Sequence, residues 1–215
     1  MPVNTNIAEG NLFMMCTALN ESALTDIPEG FHIRTCRNDE LDIWKGIHFD
    51  TEAAAREFKP FMDEYFEKVY APEAGKFREK CMFICDEADT PVGTCFAWTA
   101  YEKITTIHWY KVIKGYEGRG LGRALLSYVM RSLNADEYPV FLHTHPASNR
   151  AIKLYTDFGF SLITDAEVGY RKNDLEISLP YLEQTLTPEA YQALSFTAAP
   201  NIFLEAARST EYEQF

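Results

Sequence analysis

Three glycines at alternate positions mark the part of the sequence where a bound anion is the expected chemistry. Gly118, Gly120 and Gly122 stand between an apolar run and a strongly amphipathic run, so they mark the turn from a strand into a helix. The first N–H groups of a helix have no partner within it, and the positive end of the helix dipole lies there. Because glycines let a ligand approach the backbone without a Cβ clash, this turn is a candidate phosphate-binding site.

The charges around the turn favour the same kind of ligand. Five cations lie in this segment: Lys111, Lys114, Arg119, Arg123 and Arg131. Glu117 is the only acidic residue among them, so the local charge is 5 − 1 = +4 in a chain whose net charge is −12. A phosphate-rich ligand suits this contrast.

Two other glycine loops do not fit the sequence. A nucleoside triphosphatase loop starting at Gly115 would continue after Gly120 with Lys and then Ser or Thr, but Leu121 and Gly122 stand there. A dinucleotide-binding loop would need its third glycine at the position of Arg123 and an acidic residue about twenty positions later. The structural alternative is a tight turn that binds nothing.

Two linked signatures stand in this part of the sequence. The first is the run WYKV at 109–112 followed by EGRGLGR at 117–123, and the second is NRAIKLYTDFGF at 149–160. With these two signatures the chain resembles the GNAT superfamily of acyl-CoA-dependent N-acyltransferases. The similarity is close over residues 105–160 and weaker over 31–100. It implies an N-acetyltransferase that moves an acetyl group from acetyl-CoA to a primary amine by direct attack in a ternary complex. The alternative is a noncatalytic acyl-CoA-binding or regulatory domain.

The resemblance also implies which residues bind acetyl-CoA (coenzyme A). They are Tyr110, Lys111, Val112, Glu117, Gly118, Arg119, Gly120, Leu121, Gly122, Arg123, Asn149, Lys153 and Tyr155. Main-chain amides of the glycine turn would bind the diphosphate. Glu117 stands where the family usually has Arg or Gln, which removes one side-chain contact and leaves the backbone amides unchanged.

Acetyl transfer to an amine needs a neutral amine, a donor to the developing oxyanion and a proton for the departing thiolate. The resemblance assigns the donor to a main-chain N–H at Val112 or a neighbour, and the proton to Tyr155. The alternative for Tyr155 is a packed aromatic residue on the inner face of its helix. The resemblance also makes His108 the candidate general base, since some family members carry a His at that strand position, and an ordinary pKa near neutrality suits the task. The alternative is a hydrogen-bonded core residue.

Two further groups of residues are candidates for binding. His143 and His145 alternate with Thr144 and so share one strand face, where a substrate-facing role is expected and a Zn²⁺ site with His108 is the alternative. We predict no metal. The acceptor amine is expected near aromatic and acidic residues, namely Tyr65, Trp98, Tyr101, Trp109, Glu52, Asp63 and Glu64. The alternative is a solvated acidic face over an aromatic core.

The elements that must position these residues follow from the hydrophobic spacing. It predicts strands at 31–37, 81–85, 92–100, 105–113, 140–145, 160–163 and 175–179. It predicts two helices within 39–70 that are broken near Asp50, and further helices at 118–133 and 149–158. With the resemblance, this predicts an α/β (α+β) GNAT fold. Its twisted, mixed, mostly antiparallel sheet has helices on both faces and a splayed parallel pair around His108 and Leu142.

Composition and charge limit the remaining possibilities. We predict an N-terminal arm at 1–30, an acetyltransferase domain at 31–180 and an acidic helical appendage at 181–215 packed on the domain. The net charge of −12 disfavours nucleic acid as a partner, and no apolar run approaches the length of a membrane span. The five cysteines form no CxxC pair, which fits a reducing, cytoplasmic compartment. The expected partners are a small-molecule amine or a peptide acceptor, and a second copy in a possible homodimer.

Overall fold

The computed structural model describes residues 5–210 and 212–215. The strands are β1 (Leu12–Cys16), β2 (His32–Thr35), β3 (Met82–Cys85), β4 (Pro91–Ala100), β5 (Ile104–Val112), β6 (Val140–Thr144), β7 (Phe160–Ile163), β8 (Glu167–Val168), β9 (Arg171–Lys172) and β10 (Phe196–Thr197). The helices are α1 (Thr5–Ala8), α2 (Leu41–Gly46), α3 (Glu52–Val69), α4 (Ala74–Lys80), α5 (Leu121–Arg131), α6 (Asn149–Asp157), α7 (Leu175–Thr185), α8 (Pro188–Gln192) and α9 (Asn201–Ala207).

These elements belong to two compact units whose segments alternate along the chain. One unit combines residues 5–23, Thr99–Ile107 and the described part of Asn134–Phe215, and the other combines Leu24–Trp98 with His108–Leu133. We call them the terminal unit and the central unit.

The terminal unit contains the strand order β10-β7-β1-β6-β5. All five residues of β1 are buried, and β1 is antiparallel to both β6 and β7. The predicted parallel pair is confirmed, because Thr106 of β5 lies opposite Phe141 of β6 in parallel register. Its splay stays a prediction. Phe141 stacks on Phe203 of α9 with ring centroids 3.9 Å apart, so the last helix contributes to this core.

The central unit contains β2, β3, the part of β4 up to Trp98, the part of β5 from His108 onward, and the helices α2 to α5. Helix α3 begins where the Thr51 side chain accepts a hydrogen bond from the N–H of Ala54. It buries Met62, Phe66 and Val69, which lie at the three- and four-residue spacing of one helix face. The sheet has eight strands with parallel and antiparallel pairs, which confirms the predicted mixed α/β fold.

Two predicted segments are corrected. Residues 175–179, predicted as a strand, begin α7, because Leu175, Ser178 and Leu182 are the buried positions and follow a helical period. Residues 12–16 of the predicted N-terminal arm form β1. Because this strand is buried on both faces, its run LFMMC shows no alternation of apolar and polar residues.

The predicted domain boundaries stay predictions. Residues 1–4 of the predicted arm and residue 211 of the predicted appendage lie outside the described residues. The boundary at 180/181 falls within α7.

Candidate active site

The glycine turn has the backbone geometry that an anion site requires. Gly118 and Gly120 have φ angles of +77° and +80°, in the left-handed region that favours glycine. Gly120 is the N-cap of α5, and as a glycine it has no side chain to cap the first turn of that helix. A Cβ placed on Gly118 would meet nothing within 4 Å, so the outer side of the turn is open to a ligand. These residues therefore fit a diphosphate bound by main-chain N–H groups.

The Asp86 side chain, in the β3–β4 hairpin, contacts the segment that leads into the glycine turn. The Tyr116 hydroxyl donates to Oδ2 of Asp86 at 2.9 Å, and the Arg119 guanidinium lies 4.9 Å from the centroid of the Tyr116 ring. Hydrogen bonds from the Thr90 backbone N–H and from Tyr116 lower the pKa of Asp86. The loop that carries the glycines is therefore tied to a hairpin earlier in the chain.

Much of the local positive charge is already paired. Lys111 bonds Asp50 at 2.8 Å, and Arg131 bonds Asp26 at 3.2 Å. Across residues 5–210 and 212–215, no carboxylate lies within ion-pair distance of Lys114 or Arg119, and both side chains are exposed. Those two cations are therefore the ones best placed to meet phosphate oxygens.

A neighbouring side chain leaves no room for a Cβ atom at Gly122. A Cβ at this position would lie 2.1 Å from the Tyr110 hydroxyl oxygen and 3.2 Å from its Cζ atom. Burial raises the pKa of Tyr110 far above its ordinary value, so the hydroxyl is neutral beside the first turn of α5. The protein's own packing therefore requires glycine here, in addition to any requirement from a ligand.

We expect Gly122→Ala to lower the free energy of unfolding by about 1–3 kcal/mol, because the added methyl group must displace Tyr110. The cost should be smaller in a Tyr110→Phe background, where the closest atom is gone. Urea unfolding of the four proteins of this double-mutant cycle measures the coupling. Gly115→Ala is the matched control, since a Cβ there meets nothing within 4 Å. Equal costs of Gly122→Ala in both backgrounds would contradict the explanation.

His108 lies buried in the central unit and is hydrogen-bonded to a tyrosine. Its Nδ1 is 2.5 Å from the hydroxyl of Tyr70, at the C-terminus of α3, and only 3% of the residue is exposed. Burial lowers the pKa of His108 to about 3, so the ring is neutral. The proposed base is thus a neutral imidazole whose Nδ1 is hydrogen-bonded to Tyr70. Its catalytic role stays a prediction.

We expect the ring proton resonances of His108 to stay constant between pH 5 and pH 8. The ordinary imidazole would titrate in this range, whereas burial keeps the pKa of His108 at about 3. Proton–carbon NMR spectra of the free protein, assigned with the His108→Asn variant, test this expectation. A titration midpoint inside that pH range would contradict it and strengthen the assignment of His108 as the base.

The terminal unit carries the other catalytic candidate. Tyr155 lies in α6 with 5% of its surface exposed, and its ring centroid is 5.8 Å from that of Phe160. Asn149 begins the same helix, and Lys153 is exposed and paired with Asp157 at 2.8 Å. The assignments of these residues to acetyl-CoA binding, and of Tyr155 to proton transfer, stay predictions from the resemblance.

His143 and His145 contact the N-terminal segment of their own unit. His143 Nε2 lies 2.9 Å from Oδ1 of Asn11, and His145 Nδ1 lies 3.1 Å from the carbonyl oxygen of Gly10. Burial lowers the pKa of His143, so its ring is neutral. These contacts give both histidines a packing role and lend no support to the predicted substrate-facing role.

One group of potential metal ligands occurs in the described part of the chain. His32, Cys85 and Asp89 have ligand atoms within 4.8 Å of one another. The Asp89 carboxylate, however, accepts from Arg34 at 2.7 Å and from Arg37 at 2.6 Å. Two guanidinium groups on the shared carboxylate disfavour a cation, so we interpret this group as an ion-pair network.

The predicted acceptor residues are only partly brought together. Tyr65 and Trp109 are in contact, with ring centroids 5.3 Å apart. Trp98 is buried with Lys76 over its ring, and Tyr101 belongs to the terminal unit. The carboxylates are paired as Glu52 with Arg56, Asp63 with Lys45, and Glu64 with Lys68. Tyr65 and Trp109 therefore form an aromatic contact, and each of the predicted acidic residues is paired with a cation.

Sequence reasoning missed three residues beside this aromatic pair. Tyr70 and Trp44 are fully buried, and the His48 ring centroid lies 4.6 Å from that of Trp109. Among the described residues, Trp44 Nε1 and His48 Nε2 are buried without a hydrogen-bond partner. The apolar spacing of α3 places Tyr70 on the inner face but gives no sign of its polar contacts.

Comparisons with known proteins identify a family and similar folds. Residues 45–160 match the model of the Acetyltransferase (GNAT) family. A GNAT-family acetyltransferase from Colwellia psychrerythraea has a similar structure, with a TM-score of 0.50 and 10% identity over 72% of this chain and 53% of that one. A GCN5-related N-acetyltransferase from Sphaerobacter thermophilus matches at 20% identity and a TM-score of 0.43, over 64% of this chain and 43% of that one. No curated protein matches the sequence.

The share of the chain that the family model matches shows to which family the chain belongs. The chain spans about half the length of the two solved structures, 53% and 43% respectively. None of the described helices is long and apolar enough to cross a membrane. Because the family model matches residues 45–160, more than half of the 215 residues, the chain belongs to the GNAT acetyltransferase family.

Proposed function

We propose that this chain transfers an acetyl group from acetyl-CoA to a primary amine by direct attack in a ternary complex. The observation that carries the proposal is the turn at Gly118 and Gly120, which opens α5 with left-handed backbone angles and an open outer side. Membership of the GNAT family supports acetyl-CoA as the acyl donor. The acceptor is a small-molecule amine or a peptide, and the proposed compartment is the cytoplasm.

Different residues would bind the diphosphate and the thioester of acetyl-CoA. Acetyl-CoA supplies an acetyl group activated as a thioester. Main-chain N–H groups of 118–123 would bind its diphosphate, with Lys114 and Arg119 adding positive charge. A main-chain N–H at Val112 or a neighbour would donate to the thioester carbonyl oxygen, where negative charge develops.

The proton balance needs one group that gives a proton and one that takes a proton. As the new C–N bond forms and the C–S bond breaks, the departing sulfur takes the proton of the Tyr155 hydroxyl. The amine loses its proton to a base or to water, and His108 is the candidate within the central unit. The pKa of His108, lowered by burial to about 3, makes its imidazole a weaker base than an exposed histidine, so this role requires the pKa to rise when the substrates bind.

A noncatalytic acyl-CoA-binding or regulatory domain is the second candidate, and Glu117 is the observation that favours it. A carboxylate at this position adds negative charge beside the diphosphate and supplies none of the contacts that Arg or Gln would make. Binding and turnover must therefore be measured separately.

The test combines calorimetric titration of acetyl-CoA with thiol release in the presence of aromatic, aliphatic and peptide amines. We expect binding and thiol release with at least one amine, and we expect Arg119→Glu to weaken binding at least about tenfold because it reverses a charge beside the phosphates. Arg56→Glu, in the exposed pair with Glu52, is the control. Binding without turnover by any amine would favour the second candidate, and no binding would contradict both.

A further inference from the structure

A single hydroxyl group bonds two consecutive residues of β5. The Tyr70 hydroxyl oxygen accepts from Trp109 Nε1 at 2.9 Å, and the same hydroxyl lies 2.5 Å from Nδ1 of His108. A phenol hydroxyl has one proton to donate and two lone pairs that accept, so a single O–H group serves both Trp109 Nε1 and His108 Nδ1. The three side chains therefore form a chain of bonds from Trp109 through Tyr70 to His108.

Two neighbouring residues of a regular strand cannot reach the same partner in this way. Successive side chains of a strand point to opposite faces of the sheet. Trp109 has a φ angle of +52°, a left-handed conformation inside β5 that bulky residues rarely adopt. The departure from extended geometry brings the Trp109 side chain to the face where His108 already points. Such a conformation persists only where its surroundings hold it.

Tyr70 is well placed to hold this bend. Its ring is fully buried, and its centroid lies 4.9 Å from that of Phe77, 5.1 Å from that of Trp98 and 5.6 Å from that of Trp44. Its backbone N–H bonds the carbonyl oxygen of Phe66 at 2.9 Å, at the end of α3. The hydroxyl therefore projects from a rigid aromatic core.

We propose that Tyr70 is a positioning residue that fixes the bend at Trp109 and thereby sets the orientation of the main-chain N–H groups at 110–112. This inference rests on the proposed function, which places the donor to the thioester oxygen at Val112 or a neighbour. The segment beyond the bend is held at other points as well. Ile113 N–H bonds the carbonyl oxygen of Val92, and Lys111 bonds Asp50. Tyr70 controls the end of the segment 110–112 that directly follows Trp109, the residue with the left-handed φ angle.

The test is Tyr70→Phe, which keeps the buried ring and removes both bonds. We expect kcat to fall about 30- to 100-fold, since a displacement of about 1 Å can cost two orders of magnitude, while KM for acetyl-CoA changes less than about threefold. Tyr128→Phe on the exposed side of α5 is the matched control and should change neither constant. Trp109→Phe, which removes one of the two bonds, should give a smaller fall and serves if Tyr70→Phe does not fold.

A second readout does not depend on turnover. The Trp109 indole N–H resonance and the Trp109 Cα shift report the bond to Tyr70 and the left-handed φ angle. Both should move in Tyr70→Phe and stay constant in Tyr128→Phe. Unchanged shifts would overturn the inference, even if no amine proves to be a substrate. A fall in stability with unchanged kcat would also overturn it and would leave Tyr70 with a packing role.

Discussion

Tyr155→Phe is expected to lower kcat about 100-fold, the size of effect that a positioned general acid contributes. The dissociation constant for acetyl-CoA should stay within about twofold, because the ring that fills the buried position in α6 is kept. The sulfur would then leave as an unprotonated thiolate. Thiol release and calorimetric titration, performed on the same preparation, measure the two quantities.

The control and the pattern of results distinguish catalysis from packing. Tyr191→Phe, on α8 of the same unit, removes a hydroxyl that has no proposed role and should leave kcat unchanged. A Tyr155→Phe protein with normal kcat would remove Tyr155 from the mechanism. Equal losses in kcat and in binding would show instead that the hydroxyl helps to shape the acetyl-CoA site.

Glu40→Ala is expected to lower the free energy of unfolding by about 2–4 kcal/mol, because it leaves a largely buried guanidinium without its main partner. The Glu40 carboxylate accepts two bonds of 2.7 Å from Arg34, and it also accepts from the backbone N–H of Arg37 at 2.8 Å. The side chains of Arg34 and Glu40 are only 15% and 9% exposed. Asp89 still contacts Arg34, which keeps the loss below that of a fully isolated charge.

The same pair predicts a pH dependence of stability. Hydrogen bonding to Arg34 lowers the pKa of Glu40 below its ordinary value of 4.5. The pair therefore stabilises the fold fully above about pH 4.5, and its contribution is lost as the pH falls through the lowered pKa. Urea unfolding between pH 3 and pH 7 should show a steeper acid loss in the unchanged protein than in Glu40→Ala.

An exposed pair provides the control for this stability prediction. Glu52 and Arg56 are 92% and 73% exposed, so Glu52→Ala should change the free energy of unfolding by less than about 0.5 kcal/mol. Similar effects of the two substitutions would contradict the assignment of stability to the Arg34–Glu40 pair.

The parts of the fold that sequence predicted are those with a clear one-sided period. Helix α5 buries Leu121, Leu125 and Val129 at four-residue steps, and its start follows from the glycines. Strand β1 was missed because burial on both faces removes the alternation that marks a strand. The segment 175–179 was misassigned because a short apolar run is compatible with either a strand or a helix.

In the candidate site, too, the sequence predicted the features that have a local cause and missed those that depend on tertiary contacts. Gly118 and Gly120 could be predicted because a glycine in a strand-to-helix turn has a local reason. The contact between Tyr70 and His108 joins residues 38 positions apart, so no local pattern records it. The count of positive charges was correct, but it could not show that Lys111 is paired with Asp50. Spacing therefore predicted the turn, whereas its environment depended on tertiary packing.

The bond between Tyr116 and Asp86 connects the glycine turn to the β3–β4 hairpin, so a ligand bound at the turn can be detected at the hairpin. Oδ1 of the same Asp86 carboxylate accepts from the backbone N–H groups of Ala88 and Thr90, at 3.0 Å each. A molecule that orders the turn therefore also restrains the opening of the hairpin, and solvent deuterium should enter these two amides more slowly. Exchange mass spectrometry on the hairpin peptide can thus detect occupancy of the turn before any acceptor amine is known.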